Sequence, residues 1–244
     1  MKKINFKEMY NAGVHLGSSV KKIHPKMRRY IMCTHDGIAM IDILKTYTRL
    51  FLIATDGYQI LFVGTQKTIA PLIADIANKT SCPYVNKNWK GGYLTNFKNM
   101  NGLGEASSQK NELSHSITSM FQNSEKSSRK LTYPLSLIEK NFDNQVFFST
   151  PPFSPPKSKT LNSTTKLSSL PDIVIIVGQQ KELKAVKECQ QLQIPIITIL
   201  DSDGDPEKSS LFIPANDDSL TSVEYILKHL GHAILVGRLL YDTV

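Results

Sequence analysis

Three short apolar runs constrain the fold of this 244-residue chain most strongly. They lie within residues 60–63, 172–177 and 196–200, and the first two are followed by glycines, Gly64 and Gly178. A strand that is apolar on both faces is typical of a parallel sheet that helices cover on both sides. The three runs therefore predict a buried, mostly parallel β-sheet.

Segments with helical spacing of apolar residues lie between these runs. Helices are predicted over residues 68–79 and 181–191, and Asn216 is predicted to cap a last helix that reaches residue 230 or beyond. The shorter predicted elements are a helix from Asn5 to Gly13, a strand over 38–43, a helix over 45–56, and brief strands at 84–85 and 211–213. This alternation predicts an α/β fold, a doubly wound parallel sheet in an α/β/α sandwich.

The middle of the chain has a different composition. Residues 101–169 are rich in Ser and Pro and show no sustained helical or alternating pattern. Such a segment buries too little apolar surface to offset the entropy cost of ordering the chain. We therefore predict three parts. Residues 1–100 are the first part of an α/β domain with a basic N-terminal arm, 101–169 are a flexible low-complexity insertion, and 170–244 are the second part of the same domain.

The basic charge is concentrated in the first part of the chain. The whole chain has a formal net charge of +8, whereas residues 1–100 hold 15 Lys and Arg against five Asp and Glu, a net charge of +10. Residues 171–244 hold six basic against 11 acidic residues, a net charge of −5. A basic region of this kind predicts an anionic partner such as nucleic acid.

One cationic segment surrounds the only Trp of the chain. This Trp loop, residues 85–98, combines three Lys, three Asn and a Gly-Gly pair with no acidic residue. Lysines neutralise phosphates, flat rings stack on bases, and glycines allow the backbone to approach a ligand closely. A basic surface turn with core aromatic residues has the same composition. For Trp89, direct contact with a ligand and a core anchor therefore both remain open.

A second cationic segment precedes the buried core. This basic segment, residues 21–29, holds five Lys and Arg. A solvated surface loop is the usual interpretation of such a cluster. Because two cationic segments belong to one fold, however, RNA binding is the favoured prediction, with an affinity that falls steeply with salt.

Other motifs predict no catalytic chemistry. The stretch after the first strand lacks the glycines of a phosphate-binding loop, since positions 61 and 66 hold Leu and Gln. Residues 201–205 look like a calcium loop, but the Gly is two places early and Phe212 stands where a Glu ligand is required. The His and Cys spacings match no zinc pattern. We predict no catalytic residue, no metal site and no cofactor.

A nucleotide- or phosphosugar-binding α/β enzyme is the alternative prediction. Its ligand would lie where Gly64 and Gly178 end their strands. No apolar run approaches the roughly 20 residues of a membrane-spanning helix, and the first residues lack the apolar stretch of a signal peptide. No membrane partner is therefore expected.

Ordered motifs along the chain resemble a known family. They occupy residues 12–17, 24–27, 37–42, 62–65, 89–96, 170–172, 193–195, 201–206 and 213–218. The clearest is Trp89-Lys90-Gly91-Gly92-Tyr93-Leu94-Thr95-Asn96. These motifs are similar, in the same order, to those of the bacterial-type small-subunit ribosomal protein S-two family. The resemblance covers residues 1–100 and 170–232.

The resemblance implies a flavodoxin-like sandwich that contacts rRNA between the head and body of the small ribosomal subunit. It implies a non-catalytic structural constituent that supports translation. Its partners would be small-subunit rRNA and neighbouring small-subunit ribosomal proteins, without a small-molecule substrate. Family members carry a helical hairpin after the Trp loop, and the degenerate segment 101–169 takes its place here. Residues 174–180 resemble plastid versions, so the predicted location is ribosome-bound in the chloroplast stroma. The mitochondrial matrix is the alternative.

Two groups of residues are predicted to bind RNA. Those of the basic segment hold phosphates, and those of the Trp loop form a second contact in which the glycines permit close backbone approach. They are Lys21, Lys22, His24, Lys26, Arg28 and Arg29, and Lys87, Trp89, Lys90, Gly91, Gly92, Asn96 and Lys98.

Overall fold

A computed structural model describes residues 5–46, 58–97 and 169–241. Almost all of the predicted helix over 45–56 and of the predicted insertion over 101–169 falls outside these ranges, as does Lys98.

A short helix and a small antiparallel sheet begin the structure. Asn5 caps helix α1 (Phe6–Asn11), because its side chain accepts a hydrogen bond from the Lys7 backbone N–H at 3.0 Å. Strands β1 (Leu16–Ser19), β2 (Ile31–His35) and β3 (Ile38–Ile41) follow, and they pair in the order β1-β3-β2.

The first part of this small sheet was not predicted correctly. The predicted elements leave residues 15–29 without a helix or strand, but the chain forms β1 and two 3₁₀ turns, Val20–Lys22 and Pro25–Tyr30. The backbone N–H of Ser18 donates to the Asp201 carboxylate at 3.2 Å and to the Ser202 hydroxyl at 2.9 Å. Strand β1 is therefore held by pairing with β3 and by partners 183 and 184 residues away, which local sequence patterns do not reveal.

A five-stranded parallel sheet forms the centre of the molecule. Its strands are β4 (Ile60–Val63), β5 (Tyr84–Val85), β6 (Ile173–Val177), β7 (Ile196–Leu200) and β8 (Leu211–Pro214). They lie in the order β5-β4-β6-β7-β8, and every neighbouring pair is parallel. Counted along the chain, this order is 2-1-3-4-5, which is the flavodoxin-like arrangement. The predicted fold class is therefore confirmed.

Helices cover both faces of the parallel sheet. Helices α2 (Ala70–Lys79) and α4 (Leu220–Tyr241) share one apolar core with α1 and one face of the sheet. Helix α3 (Leu183–Gln191) and the Trp loop share a second core with the other face. Among the residues that the structure describes, no helix is long and apolar enough to cross a membrane.

Most predicted element boundaries lie close to those observed. Helix α2 begins two residues later than predicted, and β3 ends two residues earlier. The Asn216 side chain accepts hydrogen bonds at 3.0 Å from the backbone N–H groups of Asp218 and Ser219, and α4 starts at the next residue. The last helix then continues 11 residues beyond residue 230.

Candidate nucleic-acid interface

Apolar side chains attach the basic segment to the parallel sheet. Met27 and Tyr30 are buried against Leu200 of β7 and Phe212 of β8, and the two aromatic rings meet edge to face at 4.9 Å. The backbone N–H of His24 also donates to the Ser202 carbonyl at 2.9 Å. The segment is thus held against the carboxyl end of β7 and against Phe212 of β8.

The cationic side chains of the basic segment point to solvent. Lys21, Lys22, Lys26, Arg28 and Arg29 are all exposed. His24 is half-buried, and its Nδ1 accepts a hydrogen bond from the Lys26 backbone N–H at 3.3 Å. The ring of His24 therefore orders the turn as well as bordering the cationic surface.

A cleft separates the basic segment from the 3₁₀ turn Pro206–Lys208. Its volume is about 510 Å³, and it is lined by Pro25, Lys26, Arg28, Arg29, Pro206, Glu207, Ser209, Ser210 and Phe212. Lys26 forms an ion pair with Glu207 across the cleft. The lining offers three cations against one carboxylate, which suits a phosphate-bearing ligand.

A single carboxylate attaches the Trp loop to α3. Oε1 of Glu188 accepts hydrogen bonds from Trp89 Nε1 at 2.9 Å and from the Gly92 backbone N–H at 2.8 Å. Oε2 accepts from the backbone N–H groups of Leu94 at 2.9 Å and Thr95 at 3.4 Å. Burial by itself raises the pKa of Glu188, but these hydrogen bonds outweigh it, so that the pKa lies below its ordinary value.

Trp89 belongs to the core. Its side chain is only 8% exposed and packs in the cluster beneath α3, with the Tyr93 ring 5.0 Å away. Of the two interpretations of this residue, the structure supports the core anchor. The direct RNA contact predicted for Trp89 is corrected accordingly, because a buried indole offers no face on which a base can stack.

The two glycines of the Trp loop differ. Gly92 has a φ of +83°, and a Cβ at this position would lie 2.8 Å from Asn96 Nδ2. Gly91 is exposed, and a Cβ there would meet nothing within 4 Å. Gly92 is therefore required by the turn itself, whereas Gly91 leaves an open surface.

The polar side chains of the Trp loop face outward. Lys87, Lys90 and Asn96 are exposed, next to the buried Trp89 and Leu94. The loop thus presents lysine and amide side chains to solvent while its apolar residues pack inward.

Both cationic segments lie on the same face of the parallel sheet. The Trp loop shares a core with Ile196 of β7, and the basic segment packs on Leu200 of the same strand. Residues four apart on a strand point to the same side. Strands β5 and β8 are the two edges of the sheet. The Trp loop begins at the end of β5, and β8 contacts the basic segment. Helix α3, which connects β6 to β7, lies between the two segments.

Helix α3 adds two cations that our sequence reasoning missed. Lys184 and Lys187 are exposed, whereas Ala185, Val186 and Cys189 are buried. The Gln190 side chain also donates to the Lys208 carbonyl at 3.2 Å, which ties α3 to the turn beside the cleft. Both lysines occupy polar positions of the helix predicted over residues 181–191, so the sequence could have indicated them. The net negative charge of residues 171–244 drew attention away from them.

We call the combined surface the basic face. It consists of the exposed cations of the basic segment, α3 and the Trp loop: Lys21, Lys22, Lys26, Arg28, Arg29, Lys87, Lys90, Lys184 and Lys187.

The crevice of the alternative, nucleotide-binding prediction holds a carboxylate. It lies where the strand order reverses, between β4 and β6. There Glu182 accepts hydrogen bonds from the Thr65 backbone N–H at 2.7 Å and from the Thr65 hydroxyl at 2.5 Å. A phosphate at this position would have to displace an acidic side chain from the same donors, so the local chemistry disfavours it.

An acidic group lies close to the carboxyl end of β7. Carboxylate oxygens of Asp201, Asp217 and Asp218 lie within 4.8 Å of one another. Oxygen ligands of this kind could hold a hard cation. In the described parts of the chain nothing else points to a cation here, and acidic groups often occur without one.

Fold and site together define a flavodoxin-like α/β protein with one basic face suited to a polyanion. The family model of Ribosomal protein S2 matches residues 9–152 and 154–237. The chain belongs to the ribosomal protein S2 family.

Proteins similar to this chain occur in algae and cyanobacteria. Small ribosomal subunit protein uS2c of Oltmannsiellopsis viridis is 35% identical over 247 residues, covering 98% of this chain and 95% of that protein. Small ribosomal subunit protein uS2c of Ostreococcus tauri is 38% identical over 225 residues, covering 91% of each. Small ribosomal subunit protein uS2 of Synechococcus sp. (strain RCC307) is 31% identical over 242 residues, covering 96% of this chain and 94% of that protein.

Proposed function

We propose that this protein is a structural constituent of the small ribosomal subunit and that its basic face binds rRNA. Family membership supports the first part. The relatives are named small ribosomal subunit proteins, and this chain aligns with nearly their whole length. The location of both cationic segments on one face of the sheet supports the second part. A folded polyanion can contact such a face along its whole width, and several phosphate contacts together give useful affinity.

Individual roles follow from exposure. Lys21, Lys22, Lys26, Arg28 and Arg29 hold phosphates on one side of α3, with His24 at their border. On the other side, Lys87, Lys90 and Asn96 contact RNA, while Gly91 allows its backbone to come close. Gly92 and Trp89 shape the loop instead of contacting RNA. Lys98, which lies outside the described residues, stays a predicted RNA contact.

The protein acts without catalysis in this proposal. Neighbouring small-subunit ribosomal proteins are its further partners, and no small-molecule substrate is expected. Because two relatives carry the chloroplast-type name uS2c, we place the protein on ribosomes in the plastid stroma. A mitochondrial location is the alternative.

Charge reversal on the Trp loop tests this function. The variant Lys87→Glu with Lys90→Glu places two negative charges on the basic face, so we expect it to co-sediment poorly with small subunits at moderate salt. The matched control is Lys79→Glu with Lys228→Glu. It reverses two lysines with similarly exposed side chains (62% and 58%) on α2 and α4, the helices of the opposite face.

The two variants carry the same net charge. The control also breaks the exposed ion pairs of Lys79 with Asp75 and of Lys228 with Glu224, but such pairs contribute little to stability. We expect the control to co-sediment as the unaltered protein does. Equal co-sedimentation of the two variants would contradict an RNA contact by the Trp loop.

A further inference from the structure

We infer that Glu188 is a positioning residue for RNA binding: by holding four donors of the Trp loop, its carboxylate determines which side chains the loop presents to RNA. Glu188 itself is buried and touches no RNA in this arrangement. The inference rests on the proposed function and adds a residue outside both cationic segments.

The four hydrogen bonds span the turn of the loop. One pair, from Trp89 Nε1 and the Gly92 N–H, converges on Oε1, and the other pair, from the N–H groups of Leu94 and Thr95, converges on Oε2. An ionised carboxylate only accepts hydrogen bonds, so both of its oxygens suit these donors. The backbone N–H of the buried Leu94 would lose its partner if the carboxylate were withdrawn.

This anchoring separates inward from outward residues. Trp89 is held by Glu188 and buried, so its sequence neighbour Lys90 is directed to solvent. Gly92 turns the backbone with its positive φ while its N–H is fixed on the same oxygen. The loop thus presents Lys87, Lys90 and Asn96 in a fixed arrangement before RNA arrives, which reduces the entropy cost of binding.

Electrostatics and positioning predict opposite effects of neutralising Glu188. Removing a negative charge beneath a phosphate-binding loop increases the attraction for RNA by Coulomb's law. Releasing the loop decreases affinity, because its lysines no longer share one arrangement. The sign of the change in affinity therefore separates the two explanations.

The variant Glu188→Gln and a matched control use this difference. Glutamine replaces one oxygen by an NH₂ group, which would face two N–H donors, so the loop loses half of its anchor. The control is Glu182→Gln, a buried carboxyl group at the start of α3. Its Oε1 accepts both hydrogen bonds from Thr65, so the amide can keep that oxygen in place.

The experiment measures binding of the full chain to transcribed small-subunit rRNA over a series of NaCl concentrations. Trp89 is the only Trp, so its fluorescence reports the loop directly. We expect Glu188→Gln to bind about tenfold more weakly, with a salt slope shallower by about 1.5 for two lost lysine–phosphate contacts. We also expect its emission to shift to longer wavelength, and Glu182→Gln to match the unaltered protein in all three measurements.

A second variant keeps the test decisive if Glu188→Gln does not fold. Glu188→Asp retains the negative charge but withdraws it by one methylene, so it cannot reach both pairs of donors. Positioning predicts weaker binding for Glu188→Asp as well.

The outcomes separate the two proposals. Equal or tighter rRNA binding by the Glu188 variants, at an unchanged salt slope, would overturn the positioning role while the proposed function stands. Failure of the unaltered protein to bind rRNA would contradict the proposed function and therefore also this inference.

Discussion

Two buried carboxyl groups, Glu188 and Asp217, have pKa values shifted in opposite directions because their surroundings differ. Four donors keep the pKa of Glu188 below its ordinary value, so its stabilising effect is present at neutral pH and is lost as the pH falls through the folded-state pKa. Asp217 shows the opposite behaviour. Burial and the neighbouring charges of Asp201 and Asp218 raise the pKa of Asp217 to about 8.

Asp217→Asn tests this raised pKa. The folded protein keeps a proton on Asp217 up to about pH 8, whereas the unfolded chain releases it near its ordinary pKa of about 4. The unaltered protein therefore loses stability from this group as the pH rises between these values. We expect the stability advantage of Asp217→Asn to widen with pH in this window, by up to about 1.4 kcal/mol per pH unit.

Urea unfolding followed by Trp89 fluorescence checks this expectation between pH 5 and pH 8. The buffer contains a chelator, because a cation near the three aspartates would lower their pKa values. A constant difference in unfolding free energy across this range would contradict the raised pKa of Asp217.

Substitutions at two adjacent glycines test the conformation of the Trp loop. Gly92→Ala forces a side chain into the left-handed region and against Asn96, so we expect a loss of about 1 to 2 kcal/mol in the free energy of unfolding. Gly91→Ala meets open space and serves as the control, with an expected change within about 0.5 kcal/mol. Urea unfolding measures both, and equal losses would show that the positive φ of Gly92 is unimportant.

The sequence predicted the chemistry of the Trp loop but not its anchor. The lysines, the Gly-Gly pair and the Trp were visible together, yet composition could not decide whether Trp89 faces solvent or core. The decision depends on Glu188, which is 99 residues away and reaches the loop only through the order of the strands. Long-range hydrogen bonds of this kind leave no periodic signal in a sequence.

At the scale of elements, burial decided which predictions succeeded. Strands β4, β6 and β7 are buried on both faces, so their apolar runs identified them directly. Strands β1 and β2 are largely exposed and were missed, because pairing with β3 forms them rather than their own composition. The basic segment and the turn Pro206–Lys208 likewise form their cleft only in the folded protein.

Glu207→Gln tests the contact between these two turns. Glu207 forms an ion pair with Lys26. The side chain of Glu207 is 68% exposed and that of Lys26 is 47% exposed. Such pairs contribute little to stability, so we expect the unfolding free energy to change by less than about 0.5 kcal/mol. Without this acidic competitor Lys26 is available to phosphate, and we expect rRNA affinity to rise about twofold.

An ion pair elsewhere supplies the control for Glu207→Gln. Asp75→Asn removes the carboxylate that pairs with Lys79 at 2.7 Å on α2. That pair lies on α2, which packs on the opposite face of the parallel sheet from Phe212 of the cleft. An equal rise in rRNA affinity for both variants would indicate a general charge effect instead of release of Lys26.

At the scale of the whole molecule, topology distributes the charge differently from the linear sequence. The N-terminal +10 and C-terminal −5 placed the predicted RNA contacts in the first part of the chain. The parallel sheet nevertheless requires α3, from the acidic part, to cross between β6 and β7, and this places Lys184 and Lys187 between the two cationic segments. Much of the acidic charge of that part is used internally, as in Glu182 and Glu188.

Neutralising the lysines of α3 tests whether the basic face acts as one surface. Lys184→Gln with Lys187→Gln removes two exposed charges without touching either segment, so stability should change by less than about 0.5 kcal/mol. If RNA crosses α3, each lost phosphate contact lowers the slope of log K against log salt by about 0.7 to 0.9. We expect a slope shallower by about 1.5 and weaker binding to small-subunit rRNA at every salt concentration. Lys79→Gln with Lys228→Gln, on the opposite face, should leave the slope unchanged. An unchanged slope for the α3 variant would mean that the two cationic segments bind RNA separately, with no contact across the helix between them.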